Sequence, residues 1–304
     1  MRITTRMIAN NLIARLAQTS EQIYRLQSQV ASGKRVLRPS DDPTAAARAR
    51  ALRSDLAQIA RFTENASYAT NLLSDLDGSL DAIYDTVREA CDIALQAGVP
   101  TLADNQPDAL AAMVDELIER LVSLGNTQRE GRYVFAGHST LEEPFSLDAS
   151  ASPPVEYAGD SGLVRIEVSQ GDTVVANVTG DELFNMDGAA DPALDDLFTT
   201  LSLLRDEIRA GDTDAVSARL EDMDAHLSRL LELRAEVGGR INRLELCTDR
   251  LADMKVSLTE MRSEVEDADL VQTVVDLETQ ENIYQATAAA AARIGQLSLL
   301  DFLR

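Results

Sequence analysis

The sequence predicts a mainly α-helical protein, a long antiparallel helical bundle or coiled coil formed by the N- and C-terminal halves, with a small β-rich insertion. Three observations support this fold class. Apolar residues recur at alternating steps of three and four along most of the 304 residues, as on one stripe of a helix. Trp is absent and aromatic residues make up only 4% of the chain, which favours aliphatic helix packing. Between residues 131 and 190 the chain is instead rich in Gly, Pro, Asp and β-branched residues.

The first helix is predicted by a seam that spans residues 12–30. Apolar residues follow one another at steps of four and three, with Thr19 completing the rhythm, and the opposite face is mostly polar. This spacing is typical of a helix that packs against one partner. The predicted seam consists of Leu12, Leu16, Ile23, Leu26 and Val30.

Residues 33–42 are predicted to form a connector between two helices. Gly33 can adopt the left-handed conformation that ends a helix, and Pro39 disfavours helix at Arg38. Asp42 can cap a new helix whose first position suits Pro43, because a missing N–H costs nothing there. The predicted connector and cap residues are Gly33, Ser40, Asp41, Asp42 and Pro43.

The middle of the chain is predicted to be helical on both sides of the insertion. Two helices precede it, one ending at residues 98–100 and one running from about Pro107 to Arg129. Within the insertion, Val164, Ile166 and Val168 alternate with charged residues as on a half-buried strand, and residues 173–178 form a second candidate. Helix returns near Pro192. From there, every seventh residue from position 223 to position 265 is apolar.

A break is predicted near residues 263–269, where Ser263 and Glu266 fit a capping box. The segment that follows has a second apolar stripe, which we interpret as a partner for the first. An amphipathic helix needs such a partner, and the available ones are the other terminus or the termini of other copies. The second predicted seam consists of Leu270, Val274, Leu277, Tyr284, Ala288 and Ala291.

The predicted domains are therefore nested. Residues 1–42 and 265–304 form terminal coiled-coil assembly segments, and residues 43–130 with 191–264 form a helical bundle. Residues 131–190 form a small β-rich outer domain.

The charge is unevenly distributed. Residues 1–61 carry eleven Lys or Arg and four Asp or Glu, whereas the remainder carries seventeen and forty-seven. A basic arm on an acidic body can indicate nucleic-acid binding. However, the basic residues are scattered and no aromatic stacking set accompanies them, so we expect no nucleic-acid partner. The pattern favours solvated helix faces whose basic residues meet acidic surfaces of neighbouring chains.

Catalytic, cofactor and metal motifs are absent from the sequence, so an enzyme is not expected. Neither His138 nor His226 belongs to a His-Glu-x-x-His pattern, and no Gly-x-Ser-x-Gly or phosphate-binding loop occurs. The acidic residues at 264, 266, 267 and 269 lack the glycine and the oxygen spacing of a calcium loop.

Targeting and redox features are equally sparse. Cys91 and Cys247 lie in predicted helices, which favours buried thiols over a bridge or a reactive group. No run of about 18 apolar residues predicts membrane insertion, and the N-terminus lacks an ordinary cleaved signal peptide.

Four stretches resemble the flagellar hook-associated protein 3 family, a branch of the bacterial flagellins. Residues 29–43 (QVASGKRVLRPSDDP) resemble its N-terminal signature, and residues 131–137 (GRYVFAG) resemble its sequence where the insertion begins. Residues 266–270 (EDADL) and 297–304 (LSLLDFLR) resemble its C-terminal signature.

The resemblance implies a structural role in the flagellum. Such a protein is expected to leave the cell unfolded through the type III export apparatus, without cleavage of a signal. It would form a homo-oligomeric ring at the hook–filament junction, between a neighbouring hook-associated protein and the filament flagellin. Its terminal helices would line the central channel, and an export chaperone is an expected partner.

Two alternatives remain open at this stage. Filament flagellin shares the general pattern of both ends, but it usually continues the Asp-Asp pair with Ala and lacks the Tyr-x-Phe-x-Gly stretch. A cytosolic helical-bundle scaffold is the alternative of a different class.

Overall fold

The computed structural model describes residues 5–98, 106–147 and 154–302, and these are mostly helical. Two helices of more than fifty residues dominate, and the strands are short. The predicted fold class is confirmed. The helices are α1 (Thr5–Ser32), α2 (Pro43–Ala97), α3 (Gln106–Gly125), α4 (Gly180–Phe184), α5 (Leu197–Ala210), α6 (Thr213–Glu266) and α7 (Leu270–Phe302), with a 3-10 turn at Met186–Gly188.

The strands form three separate antiparallel pairs rather than one sheet. The pair predicted from alternation is present, with Ile166 opposite Val174 and an irregularity between Glu167 and Ser169. The other two pairs are too short for a periodicity of two to be visible in the sequence. The pairs are β1 (Gln128–Arg129) with β2 (Arg132–Tyr133), β3 (Phe145–Leu147) with β4 (Val155–Tyr157), and β5 (Arg165–Ser169) with β6 (Asp172–Val175).

The chain divides into two compact units. Residues 1–59 and 253–304 form one unit, here called the terminal unit, and residues 60–252 form the central unit. The predicted domain limits after residues 42 and 264 lie near helix ends, whereas this division falls inside α2 and α6. The difference arises because both helices continue without interruption through the division, so no helix-ending or turn signal in the sequence marks it.

The core of the central unit is aliphatic along its helices. Residues of α2 at 73, 76, 80, 83 and 87 are fully buried. In α6 the apolar residues at every seventh position are buried from Met223 to Leu251. They are half-buried at Leu258 and Val265, which belong to the terminal unit. The repeat therefore marks the inward face of one helix across both units.

An aromatic cluster fixes the β region against the helices of the central unit. Phe145 is 1% exposed, and its ring lies 5.0 Å from the rings of Tyr157 and Phe184 and 5.9 Å from that of Phe198. A Cβ added at Gly125 would come within 2.7 Å of the Phe145 ring, so that position requires glycine. The sequence did not reveal this cluster, because its four members come from distant elements.

We predict that Phe145→Ala lowers the free energy of unfolding of the central unit by about 3–5 kcal/mol, because it leaves a cavity among three other rings. Chemical denaturation followed by circular dichroism measures the change. Leu147→Ala, on the same strand but 42% exposed, is the matched control and should cost less than about 1 kcal/mol. Equal costs for the two variants would contradict the role given to the cluster.

Candidate assembly site of the terminal segments

The two terminal helices pair with each other in the terminal unit. Helices α1 and α7 contact each other and run antiparallel, since residues 22–29 share a groove with residues 276–280 and the end of α1 lies beside the start of α7. On α1 the predicted seam faces inward in part, and all of its members are half-buried. They are Leu12, Leu16, Ile23, Leu26 and Val30.

The inward face of α7 contains part of the predicted seam. Leu277, Ala288 and Ala291 are half-buried, but Leu270, Val274 and Tyr284 are 48%, 41% and 39% exposed. The exposure of those three residues within one chain leaves them available to other copies, so the seam stays a prediction there. Thr273, 8% exposed, is the most buried described residue of α7.

Polar side chains occupy the most buried positions of this helix pair. Thr19, Gln29 and Thr273 are each no more than 8% exposed, whereas Ile13, Tyr24 and Val271 are more than 60% exposed. An isolated helix pair that buries Thr and Gln gains register rather than much hydrophobic stability. The exposed apolar residues are therefore free to contact other chains.

The connector joins the two termini through the backbone. Gly33 has a φ of +69°, and its N–H donates to the Gln29 carbonyl at 2.8 Å, as expected at a helix end. Beyond it, the Arg35 N–H donates to the Glu266 carbonyl at 2.8 Å, and the Ala268 N–H donates to the Gly33 carbonyl at 2.9 Å. A short antiparallel bridge therefore closes residues 33–35 against residues 266–268.

Side chains reinforce this bridge. Gln29, 7% exposed, donates from Nε2 to the Arg35 carbonyl at 2.9 Å. The Arg35 guanidinium donates to the Val265 carbonyl at 2.9 Å and lies 3.6 Å from the Asp42 carboxylate. Arg35 thus links the end of α6 to the start of α2.

The start of α2 is capped as the sequence predicts. The helix begins at Pro43, and Asp42 Oδ1 accepts from the Ala45 N–H at 3.0 Å and from the Thr44 hydroxyl at 2.7 Å. These hydrogen bonds lower the pKa of the Asp42 carboxyl. Asp41 closes the preceding turn by accepting from the Arg38 N–H at 2.9 Å, and Ser40 is exposed beside it.

Glu266 lies at the centre of the connector. Its side chain is 2% exposed, and Oε1 accepts from both Lys34 Nζ and the Arg53 guanidinium. Burial by itself raises the pKa of this carboxyl, but the hydrogen bonds and charges of Lys34 and Arg53 outweigh burial and hold the pKa below its ordinary value. Glu266 therefore stays ionised and joins α6 to both the connector and α2.

The predicted capping box at Ser263 and Glu266 is wrong. Helix α6 continues to Glu266, and the Ser263 hydroxyl donates to Asp267 Oδ2 at 2.6 Å. Asp269 caps α7 instead, accepting from the Gln272 N–H at 3.1 Å. Asp269 lies directly before the first residue of α7, so its carboxylate reaches a free N–H of the first turn. Ser263 lies inside α6 and cannot reach those groups. The predicted break itself is present, between Glu266 and Leu270.

The connector offers ion pairs, backbone hydrogen bonds and exposed apolar side chains. Across residues 5–98, 106–147 and 154–302 no three His, Cys, Asp or Glu side chains are arranged to hold a metal ion. Among the helices in that same part of the chain, none is long and apolar enough to cross a membrane. The site is a closed connector beside two helices with exposed apolar faces, an arrangement suited to association between chains.

Comparison with known proteins gives the same pattern at both ends. Residues 3–140 match the bacterial flagellin N-terminal helical region, and residues 220–303 match the bacterial flagellin C-terminal helical region. Together these matches cover most of the chain and include the whole connector.

Individual relatives span the full length. Flagellar hook-associated protein 3 of Escherichia coli is 27% identical over 99% of each chain. A flagellin of Bacillus subtilis is 24% identical over the whole of both chains. The fold is similar to that of the flagellar junction protein FlgL from Legionella pneumophila, with a TM-score of 0.59 and 18% identity, covering 71% of this chain and all of that one.

We predict that Glu266→Gln loosens the connector at neutral pH, because Lys34 and Arg53 lose their counter-charge. The free energy of local opening should fall by about 1–3 kcal/mol, since both cations are partly exposed and water screens them. Hydrogen exchange at the Arg35 and Ala268 amides measures this opening. Glu264→Gln, an exposed neighbour without an ion pair, is the control and should change neither amide.

The same residue gives the connector a pH dependence with a defined sign. Because the pKa of Glu266 is lowered in the folded state, its stabilisation is present above its ordinary pKa of 4.5. It is lost as the pH falls through the lower, folded-state value. Exchange at the two amides, corrected for intrinsic rates, should therefore accelerate in acid in the wild type and stay flatter in Glu266→Gln. Parallel pH profiles for both proteins would refute this assignment.

Proposed function

Since this chain belongs to the bacterial flagellin family, we propose that it is a structural subunit of the flagellum that forms the ring joining the hook to the filament. The observation that carries the proposal is the closed connector with its paired terminal helices. It presents exposed apolar residues, among them Ile13, Tyr24 and Val271, on the two paired helices. Such faces require burial against other copies.

The junction role is favoured over a filament role by two local features. Pro43, the first residue of α2, follows the Asp-Asp pair where flagellins usually carry Ala. The stretch at 131–137 is also a built structural element. Phe135 is fully buried, and its carbonyl accepts from the Gly180 N–H and the Tyr157 hydroxyl, both at 2.9 Å.

Gly137 is a second fixed position in that stretch. It has a φ of +66°, and a Cβ there would lie 2.2 Å from the Asp160 carbonyl oxygen. Only glycine is compatible with this approach. Phe135 and Gly137 of the Tyr-x-Phe-x-Gly pattern are therefore fixed by packing in the β region, which distinguishes this chain from a flagellin that lacks the pattern.

The finer parts of the proposal follow from the family. The chain would be exported without a cleaved signal and assemble outside the cell, with a chaperone accompanying it before export. In the assembled ring the two terminal helices would line the central channel, between a neighbouring hook-associated protein and the filament flagellin. Its role would be mechanical rather than catalytic, in keeping with relatives that are structural proteins of the flagellum.

Deletion of the gene in its host tests the function. We expect intact hooks, filament subunits released into the medium and loss of swimming, all reversed by the wild-type gene. Electron microscopy of the cells and immunoblots of the medium provide the measurement. Filaments that remain attached to the deletion strain would refute the junction role, and loss of hooks as well would point to an earlier component.

The same strain tests the terminal helix pair. Leu26 is half-buried and lines the groove between α1 and α7, so Leu26→Asp places a charge against α7. Burial of a leucine contributes about 1.5–3 kcal/mol, and each copy in a ring repeats the loss. We expect this variant not to restore filaments, although the melting of the central unit is unchanged. Gln27→Asp, exposed on the next position, should restore them; full activity of Leu26→Asp would contradict the pairing.

A further inference from the structure

The net charge of the protein resides entirely in one of its units. Residues 60–252 carry fourteen Arg and thirty-seven Asp or Glu, giving −23, which equals the charge of the whole chain. The terminal unit is neutral, but its two segments are opposite in sign. Residues 1–59 carry ten basic and four acidic residues, and residues 253–304 carry four and ten.

The central unit uses its arginines internally. Nine of the fourteen form ion pairs with carboxylates of the same unit, as Arg234 does with Asp77 and Asp81 and Arg205 with Asp115. All of these pairs except Arg240–Glu236, which lies within α6, join neighbouring elements of the fold. Most arginines of the central unit therefore stabilise the fold of the single chain.

The terminal unit does the opposite. Eight basic side chains are described between residues 7 and 59, and five of them have no carboxylate within 4.0 Å among the described residues. All five are exposed: Arg15, Arg25, Arg38, Arg48 and Arg50.

The acidic segment is equally unpaired. Of the nine carboxylates described between residues 253 and 281, only Glu266 forms an ion pair within the described chain, and the other eight are exposed. Opposite charges of the two segments do not form an ion pair even at one place where they line the same groove. Arg25 and Asp276 line the same open groove of about 460 Å³ between α1 and α7, with no ion pair between them.

Equal and opposite charges on one unit, unpaired within it, fit a contact between unlike faces of identical chains. We propose that copies associate head to tail, with the basic surface of α1 and the start of α2 in one copy facing the acidic surface of α7 and the end of α6 in the next. This inference rests on the proposed function and assigns a chemistry to the contacts between subunits. The partner is a second copy of this chain.

Other polyanions fit these residues less well. A nucleic acid or an anionic membrane that approached the terminal arginines would also meet the eight exposed carboxylates of the same unit. A copy of this chain brings an acidic segment of matching charge, since residues 253–304 carry six excess negative charges and residues 1–59 six excess positive ones. Head-to-tail contacts of this type repeat from copy to copy, as a ring requires.

Charge reversal in trans tests the proposal. One variant carries Arg15→Glu and Arg25→Glu, and a second carries Glu278→Arg and Glu281→Arg; all four side chains are exposed. Each is expressed alone in the deletion strain, and then both together. Alone, each should lower the fraction of cells with attached filaments about tenfold or more, because like charges face each other at every contact. Together they should restore attachment, since each variant supplies the sign that the other lacks.

Controls separate this result from trivial ones. Reversal of two exposed charges of the central unit, Glu119 and Glu221, should leave attachment unchanged. Circular dichroism of the purified variants should show unaltered melting of the central unit. Wild-type complementation in the same strain establishes the proposed function independently, so its failure is distinguishable from failure of this inference.

Two results would overturn the inference. If each reversed variant supports filaments by itself, the charges do not contribute to association. If neither works, if co-expression does not rescue them, and if one chain carrying all four substitutions does, the pairing is between segments of the same chain. Rescue by co-expression is possible only when the opposite charges belong to different copies.

Discussion

The ionised carboxylate of Glu266 is the interaction on which the terminal unit depends. A carboxylate that is 2% exposed needs cations and hydrogen bonds in place of water, and Lys34 and Arg53 supply both at Oε1. Because these cations come from the connector and from α2, one side chain fixes the end of α6 against two other segments. The backbone bridge between residues 33–35 and 266–268 forms around it, and this bridge sets the starting point from which α1 and α7 run side by side.

The two units solve different physical problems. The central unit is self-sufficient, with an aliphatic core, an aromatic cluster and arginines that are mostly paired within the chain. The terminal unit buries Thr19, Gln29 and Thr273 while it exposes valines, isoleucine and tyrosine, and its charges are largely unpaired. In a single chain, the contacts of the terminal unit therefore fix the register and direction of its helices. Its apolar side chains and charges remain exposed for contacts with neighbouring copies.

Local sequence signals anticipated the parts of this fold that depend on local physics. The spacing of apolar residues identified the long helices, Asp42 and Pro43 marked the start of α2, and Gly33 marked the end of α1. Local signals do not identify a contact whose deciding partner is distant in the sequence. Glu266 looks like a capping residue until Lys34 and Arg53 are brought to it, from 232 and 213 positions away. The burial of Thr273 on α7 was likewise not apparent, because a rule of apolar burial cannot detect a buried threonine.

The sequence separation within the connector also constrains the order of folding. Closing a loop of more than two hundred residues carries an entropic cost that local helix contacts do not, so the contacts of Glu266 form late. In a chain that becomes available from the N-terminus onward, Lys34 and Arg53 lack their carboxylate partner until residue 266 is present. The central unit, complete by residue 252, can fold before then. The connector can therefore close only in a chain that extends to at least residue 268, and a chain truncated earlier lacks the partners of residues 33–35.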